Sequence, residues 1–295
     1  MGDCLMHNKH VTDGINKDLD LVRTREWYLD LIKDWEDPFG IPKIKLHENH
    51  WVVRDDLIEY GSKCRFGDYL VKNCEYDTLV YVQPRFGYAG ISLSYLANKY
   101  NKKLVLFMPS SKEISEHQAV CIEKGAITKF RRIAAMPNLN RIAKQWAEKN
   151  DAFFIPLGLV NPFVTACIVK TCDSIIKEWG HPKHIWTAIS TGVLSRGLQI
   201  GFNRTTFHSV AVARNLKEGE LGNSEIFSHP KLFTQNVSKD WVPPFPSASN
   251  YDAKVWEYMK IHGEDGSMMW NVAGNCSSSI DKLKINSYRD WGEVK

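Results

Sequence analysis

His184-Ile185-Trp186-Thr187-Ala188-Ile189 is a six-residue run rich in β-branched and aromatic side chains, and Ser190-Thr191-Gly192-Val193-Leu194-Ser195-Arg196-Gly197 follows it at once. The run reads as a buried strand, the Ser-Thr-Gly as a tight turn, and Leu194 to Phe202 as a helix. Phe207 to Ala213 is again apolar and short, so a second strand follows the helix. Strand, turn, helix and strand in this order make one βαβ unit, which closes only with parallel strands.

The same alternation runs upstream. Thr78 to Val82 reads as a strand, and Tyr88 to Lys99 as a helix with Ala89, Leu93, Leu96 and Ala97 on one face. Leu104 to Met108 is a strand stopped by Pro109. Glu113 to Lys124 is a helix with Gly125 where a C′ glycine belongs. Ala126 to Phe130, Asn138 to Asn150 and Ala152 to Ile155 continue as strand, helix and strand. Asn161 can cap and Pro162 fits a first turn, so a long helix is expected from there to Trp179, ended by Gly180. The chain is therefore read as α/β, with parallel sheets flanked by helices. Ligands of such folds bind where strands lead into helices, at the strands' carboxyl ends. Beyond residue 214 the pattern weakens. Leu232 to Asn250 looks like a covering loop, Tyr251 to His262 a helix, and Ser267 to Val272 a last strand.

Composition agrees with a large folded enzyme or binding protein. The 295 residues are 43% hydrophobic and 24% charged, which excludes a disulfide miniprotein, a collagen-like chain and a disordered tail. No apolar run approaches the roughly 20 residues that span a bilayer. Residues 1 to 20 lack the apolar block of a signal peptide, so no membrane partner and a cytoplasmic location are expected. The seven cysteines form no C-x-x-C pair and read as free thiols. A net charge of +4 permits an anionic substrate, or nucleic acid, without demanding either. The ten tryptophans read as packing residues.

Two loops carry the chemistry. In Gly61-Ser62-Lys63-Cys64-Arg65 a lysine stands just before a helix expected over Phe66 to Lys72. A cation is disfavoured at that positive helix end. It is tolerable there if it bears a covalent partner or faces an anion; otherwise Lys63 is an ordinary surface lysine. The turn from Ser190 to Ser195 can present successive backbone N–H groups to a phosphate, with hydroxyls from Ser190, Thr191 or Ser195 nearby. His47-Glu48-Asn49-His50 does not have the spacing of a helical zinc motif and precedes a strand, so no metal is expected. His10, His117 and His208 have no evident partner and read as structural or solvent-facing. The sequons at Asn203 and Asn236 carry no weight in a chain read as cytoplasmic.

Taken together and in order, these segments resemble the fold-type II pyridoxal 5′-phosphate (PLP) enzymes, the tryptophan-synthase-β-like group. The branch of aminocyclopropane-carboxylate deaminase and D-cysteine desulfhydrase is the most similar. Val53-Arg54-Asp55-Asp56-Leu57 resembles that family's K-R-E-D-L segment, and Gly61-Ser62-Lys63-Cys64-Arg65 its G-N-K-x-R lysine motif. Pro156-Leu157-Gly158 to Asn161-Pro162 resembles its P-x-G-x-x-N-P crossover. Ser190 to Leu194, followed by Arg196-Gly197-Leu198, resembles its phosphate loop. The likeness covers about residues 42 to 213.

The resemblance implies that Lys63 forms a Schiff base with PLP and then serves as acid and base at the substrate α-carbon. It implies that Ser190, Thr191, Gly192, Val193, Leu194 and Ser195 hold the PLP phosphate. It further implies two lobes with the site in their cleft: residues 1–65 plus 161–295 form the larger, PLP-binding lobe, and 66–160 a smaller inserted one. A homodimer and a small amino-acid-like substrate are expected. Where the family carries a Ser/Gly-Asn-His loop against ring and substrate, this chain has Gln83-Pro84-Arg85-Phe86-Gly87-Tyr88. Arg85 and Gln83 are accordingly expected to bind substrate, and Tyr88 to donate a hydrogen bond or proton. The reaction expected is lyase, deaminase or isomerase chemistry. Two other readings stand beside it. One is a PLP-dependent isomerase or decarboxylase of a glycyl-modified thymine in phage DNA hypermodification, with DNA as the substrate carrier. The other is a non-catalytic binding protein on the same fold.

Overall fold

The computed structural model describes residues 23–132, 135–212, 216 and 221–285. In chain order these form α1 (Arg25–Leu31), β1 (Ile44–His47), β2 (His50–Arg54), α2 (Lys63–Phe66), α3 (Asp68–Lys72), β3 (Thr78–Val82), α4 (Ala89–Lys99), β4 (Lys103–Pro109), α5 (Glu116–Glu123) and β5 (Ile127–Arg131). There follow α6 (Met136–Lys149), β6 (Phe153–Ile155), α7 (Pro162–Trp179), β7 (His184–Ile189), α8 (Val193–Gly201), β8 (Thr206–Ala211), β9 (Ser224–Ser228), α9 (Ala253–His262) and β10 (Met268–Asn271). The α/β alternation expected from sequence is present. α5 begins later than expected because Ser115 caps it: its hydroxyl accepts from the Gln118 amide, and the Gln118 side chain accepts from the Ser115 amide. Residues 213–214, at the end of the strand expected to Ala213, lie outside the described residues.

One element differs from the sequence reading. The helix expected over Phe66–Lys72 is two short helices separated at Gly67, and the first of them starts at Lys63 itself. The His47-Glu48-Asn49-His50 segment is the two-residue turn of the β1–β2 hairpin, with Glu48 and Asn49 both at positive φ (44° and 68°). Among the described residues no cluster of His, Cys, Asp and Glu could hold a metal ion, and no helix is long and apolar enough to cross a membrane.

The chain divides into two compact units, each with its own sheet. The larger, residues 23–69 and Val160–Asn275 as described, holds a six-stranded sheet of order β1-β2-β10-β7-β8-β9, parallel except for β1. Val52, Trp186, Val210 and Met269 of its strands pack against Val255, Trp256 and Met259 of α9. On α8, a side chain at Gly197 would meet Ile168 at 2.8 Å, and one at Gly201 would meet Cys172 at 2.5 Å. Only glycine lets α8 lie this close to α7, which fixes where the start of α8 points. The smaller unit, Leu70–Leu159, holds the parallel sheet β5-β4-β3-β6, whose Val80, Val82, Val105 and Phe107 pack on Leu139, Ala143 and Ala147 of α6.

Residues 276–285 group with the smaller unit. Polar bonds strap them onto α5. The Ser278 amide donates to Glu116 at 3.0 Å, the Ser279 hydroxyl donates to Glu123 at 2.6 Å, and Lys282 pairs with Glu116.

Candidate active site

Strand order sets the geography of the larger unit. β2, β10 and β7 are neighbours and parallel, so the segments leaving their carboxyl ends emerge on one edge of the sheet. These segments are the Lys63 loop, Val272 to Asn275, and the Ser190–Ser195 turn. β2 and β7 lie two strand spacings apart, about 10 Å.

Lys63 is held by its neighbours. Gly61 has φ 79°, a left-handed turn that glycine adopts without cost. The Ser62 amide then donates to the Val272 carbonyl at 2.8 Å and ties the loop to the end of β10. Arg65, only 2% exposed, pairs with Asp37 and donates to Asp55 Oδ1 at 3.1 Å, while Trp270 Nε1 donates to Asp55 Oδ2 at 3.1 Å. Burial pushes the Asp55 carboxyl up and the Arg65 guanidinium pulls it back. Arg54 meets Asp56 through two hydrogen bonds of 2.7 Å, and Asn271 donates to Asp56 at 2.8 Å. The motif residues Arg54, Asp55, Asp56 and Arg65 thus form a buried ionic frame under α2, in which each charge has a partner. Lys63, partly buried, is different. Its amine makes no hydrogen bond or direct ion pair within the described chain. Burial pushes that amine below its ordinary value, against the attraction of Asp252.

The Ser190–Ser195 turn is built for an anion. Gly192 sits at φ 76° and caps α8. The first helical bond runs from the Arg196 amide to the Gly192 carbonyl at 2.9 Å, so the amides of Val193, Leu194 and Ser195 precede it and have no helical acceptor. Ser195 faces the sheet: its hydroxyl lies 3.2 Å from that of Ser209 and accepts from Gln199 at 3.1 Å. It offers the turn its amide and not the hydroxyl that the sequence suggested. Arg196, fully buried, donates to the Thr191 carbonyl at 3.0 Å and stiffens the loop. Ser190 and Thr191 stay partly exposed.

The Gln83–Tyr88 loop belongs to the smaller unit. Gln83 is fully buried and spends its amide on the loop itself. It donates to Pro84 and Gly87 carbonyls at 3.0 and 2.9 Å and accepts from the Gly90 amide at 2.8 Å. A Cβ at Gly90 would lie 2.3 Å from its oxygen. Gln83 is therefore a strut of this loop, with its side-chain amide bonded within the chain. Arg85 is exposed and donates to the Glu113 carbonyl at 3.2 Å. Tyr88 stands at the start of α4, edge-on to His117 at 5.1 Å, and its hydroxyl bonds the Cys276 thiol.

His117, read from sequence as structural or solvent-facing, is wedged between Phe86 and Tyr88 with a buried, unpartnered Nδ1. Burial lowers its pKa to about 4. Between pH 6.5 and 4 the unfolded chain therefore binds a proton here that the folded chain refuses, and stability falls as pH falls. At pH 5 the loss is about 1–2 kcal/mol relative to pH 7. Urea melts at both pH values should show His117→Gln losing less stability than the wild type on acidification; equal losses would remove His117 as the cause.

Sequence reasoning also missed Asp252. It lies in a Pro/Ser/Asn-rich approach to α9 that gives no periodic signal, and only its position four residues before Trp256 in a helix expected from Tyr251 placed it near structure at all.

No family model matches the sequence, and no curated protein matches it. Solved structures do match. The chain is similar to an ACC deaminase homologue at TM-score 0.71, with 16% identity over 85% of this chain and 95% of that one. It is similar to threonine deaminase isoform 2 from Solanum lycopersicum at TM-score 0.65, with 12% identity over 91% and 94%. A pyridoxal 5′-phosphate-dependent aspartate racemase gives TM-score 0.62, with 9% identity over 88% and 96%. The fold is that of the fold-type II PLP enzymes, as the ordered motifs implied.

Proposed function

We propose that this chain is a PLP-dependent enzyme acting at the α-carbon of an amino acid or aminoacyl derivative, in the lyase, deaminase or isomerase class. The observation that carries this is the placement, at the same edge of one parallel sheet and two strands apart, of a partly buried lysine amine without a hydrogen bond and a glycine-opened helix start. The residues fit the group: a desolvated amine suits covalent attachment to an aldehyde, and three forward-pointing amides suit its phosphate. When bound, PLP supplies an electron sink for charge left at the substrate α-carbon. The chain's own residues do the rest. Lys63 would hold the cofactor and would move a proton at the substrate α-carbon. The amides of Val193, Leu194 and Ser195 fix the phosphate, and Gly192 gives it room. Tyr88 offers a hydroxyl to the substrate.

Reconstitution with PLP tests this. An absorbance band in the visible, and borohydride trapping of PLP on the Lys63 peptide by mass spectrometry, are the expected results. Turnover with a panel of amino acids then assigns the reaction. A protein that binds no PLP, or traps it on another lysine, overturns the proposal; PLP bound at Lys63 without turnover of any amino acid or aminoacylated nucleotide makes it a binding protein.

Arg85 is proposed to hold the substrate carboxylate. Its exposure limits what that contact is worth, to about 1 kcal/mol or less. Arg85→Ala should raise KM by up to about fivefold and leave PLP binding unchanged, with Arg85→Lys recovering part. Unchanged KM, measured at low salt, returns Arg85 to the surface.

A further inference from the structure

We propose that Asp252 is a positioning residue whose buried carboxylate governs how readily the Lys63 amine takes up and gives up a proton. The inference rests on the role of Lys63 just proposed.

Asp252 is fully buried at the start of α9. Its Oδ2 accepts from the Val272 amide at 3.2 Å, and the Val272 carbonyl in turn accepts from the Ser62 amide at 2.8 Å. One residue, Val272, therefore connects Asp252 to the residue beside Lys63. The other carboxylate oxygen, Oδ1, is buried with no hydrogen-bond partner. A buried carboxylate left half-satisfied is costly, and capping does not account for it: the Asp252 side chain makes no cap hydrogen bond to α9, and an asparagine would accept from Val272 as well. Burial pushes the Asp252 carboxyl well above its ordinary value, and Lys63 is the leading charge that pulls it back toward the carboxylate. The two groups are not in direct contact, yet each is the leading charge that the other feels. The remaining neighbours are Asp56 and Tyr251 on the Asp252 side and Cys64 on the Lys63 side. Asp56 is already held by Arg54 and Asn271. Burial pushes the amine toward neutrality and Asp252 pulls it back, which keeps its proton exchangeable. A lysine that must act as nucleophile and then as acid and base needs this balance.

The test uses the full chain without PLP. Lysines are reductively methylated with ¹³C-formaldehyde, and the Lys63 resonance is assigned by its loss in Lys63→Ala. In Asp252→Asn the Lys63 midpoint should fall by about one pH unit, a tenfold loss of proton affinity, and Asp252→Glu should restore much of it. By reciprocity, the ¹³C carboxyl midpoint of Asp252 should rise in Lys63→Ala. A purely structural Asp252 would change the melting temperature and leave the Lys63 titration in place. Superimposable Lys63 titrations in wild type and Asp252→Asn overturn the proposal. If Asp252→Asn does not fold, the Asp252 titration in Lys63→Ala decides alone: no shift overturns it. Failure of the protein to bind PLP would overturn the proposed function and leave these midpoints readable.

Discussion

Lys63→Ala should abolish covalent capture of PLP and lower turnover by at least about a thousandfold, while the melting temperature stays within a few degrees of wild type. The two halves of this expectation have different sources. The chemical loss follows from removing the only amine that the Lys63 loop presents at the sheet edge. Without it PLP would lose its covalent hold, and the group proposed to move the α-proton is gone. The structural tolerance follows from what the side chain lacks. Lys63 opens α2 and donates no side-chain hydrogen bond, and burial already works against its charge. α2 is anchored instead by Arg65 on Asp37 and Asp55 and by the Ser62 amide on Val272. Truncation removes a desolvated cation and leaves that frame intact. The pertinent measurements are borohydride trapping, steady-state turnover and a thermal melt on the same preparation. Retained activity, or PLP still trapped at this site, would remove Lys63 from the mechanism. A collapse in stability would mean that its aliphatic stem packs more than its amine reacts.

Much of the fold could be read from periodicity. β3, β7 and α7 match their expected spans because β-branched runs bounded by Pro, Gly and Asn leave few competing readings. β9, Ser-Glu-Ile-Phe-Ser, was not anticipated: it is a short edge strand with polar ends, and its pairing to β8 is a tertiary contact that local pattern does not encode. The two-residue turn at Glu48-Asn49 was hidden for a related reason, since neither residue is a glycine. At the site, the lysine and the Gly192 turn were legible because glycine next to chemistry-bearing residues is a local signal. Their supports were not. The bonds that tie the Gln83 amide into its own loop were not legible, because sequence shows which polar atoms a residue has and not which are already bonded. Asp252 meets the Lys63 loop only through Val272, whose amide bonds Asp252 and whose carbonyl bonds Ser62, a tertiary link across some 200 residues of chain.

Gly192→Asp should weaken PLP binding by at least about 100-fold, and the argument separates into backbone and charge. Gly192 is at φ 76°, where an L-residue costs roughly 1 kcal/mol or more. That strain acts on the fold and would be shared by Gly192→Ala, which should lower stability modestly and change PLP affinity only a few-fold. Aspartate adds a negative charge beside the amides of Val193, Leu194 and Ser195. At about 4 Å and an effective dielectric near 20, the repulsion from each unit of phosphate charge is about 4 kcal/mol, so about two thirds of one such unit accounts for a 100-fold loss. The aspartate carboxylate can also fold back as its own acceptor for the same amides, competing for the donors the phosphate would use. Equilibrium dialysis with PLP across wild type, Gly192→Ala and Gly192→Asp resolves the two contributions, with inorganic phosphate as competitor. Phosphate should displace PLP from the wild type and bind the Asp variant poorly. Wild-type affinity in Gly192→Asp would place the phosphate elsewhere. Equal, large losses in Ala and Asp would show that loop geometry, and not charge, governs the site. A loss confined to Asp identifies the helix start as the anion cradle.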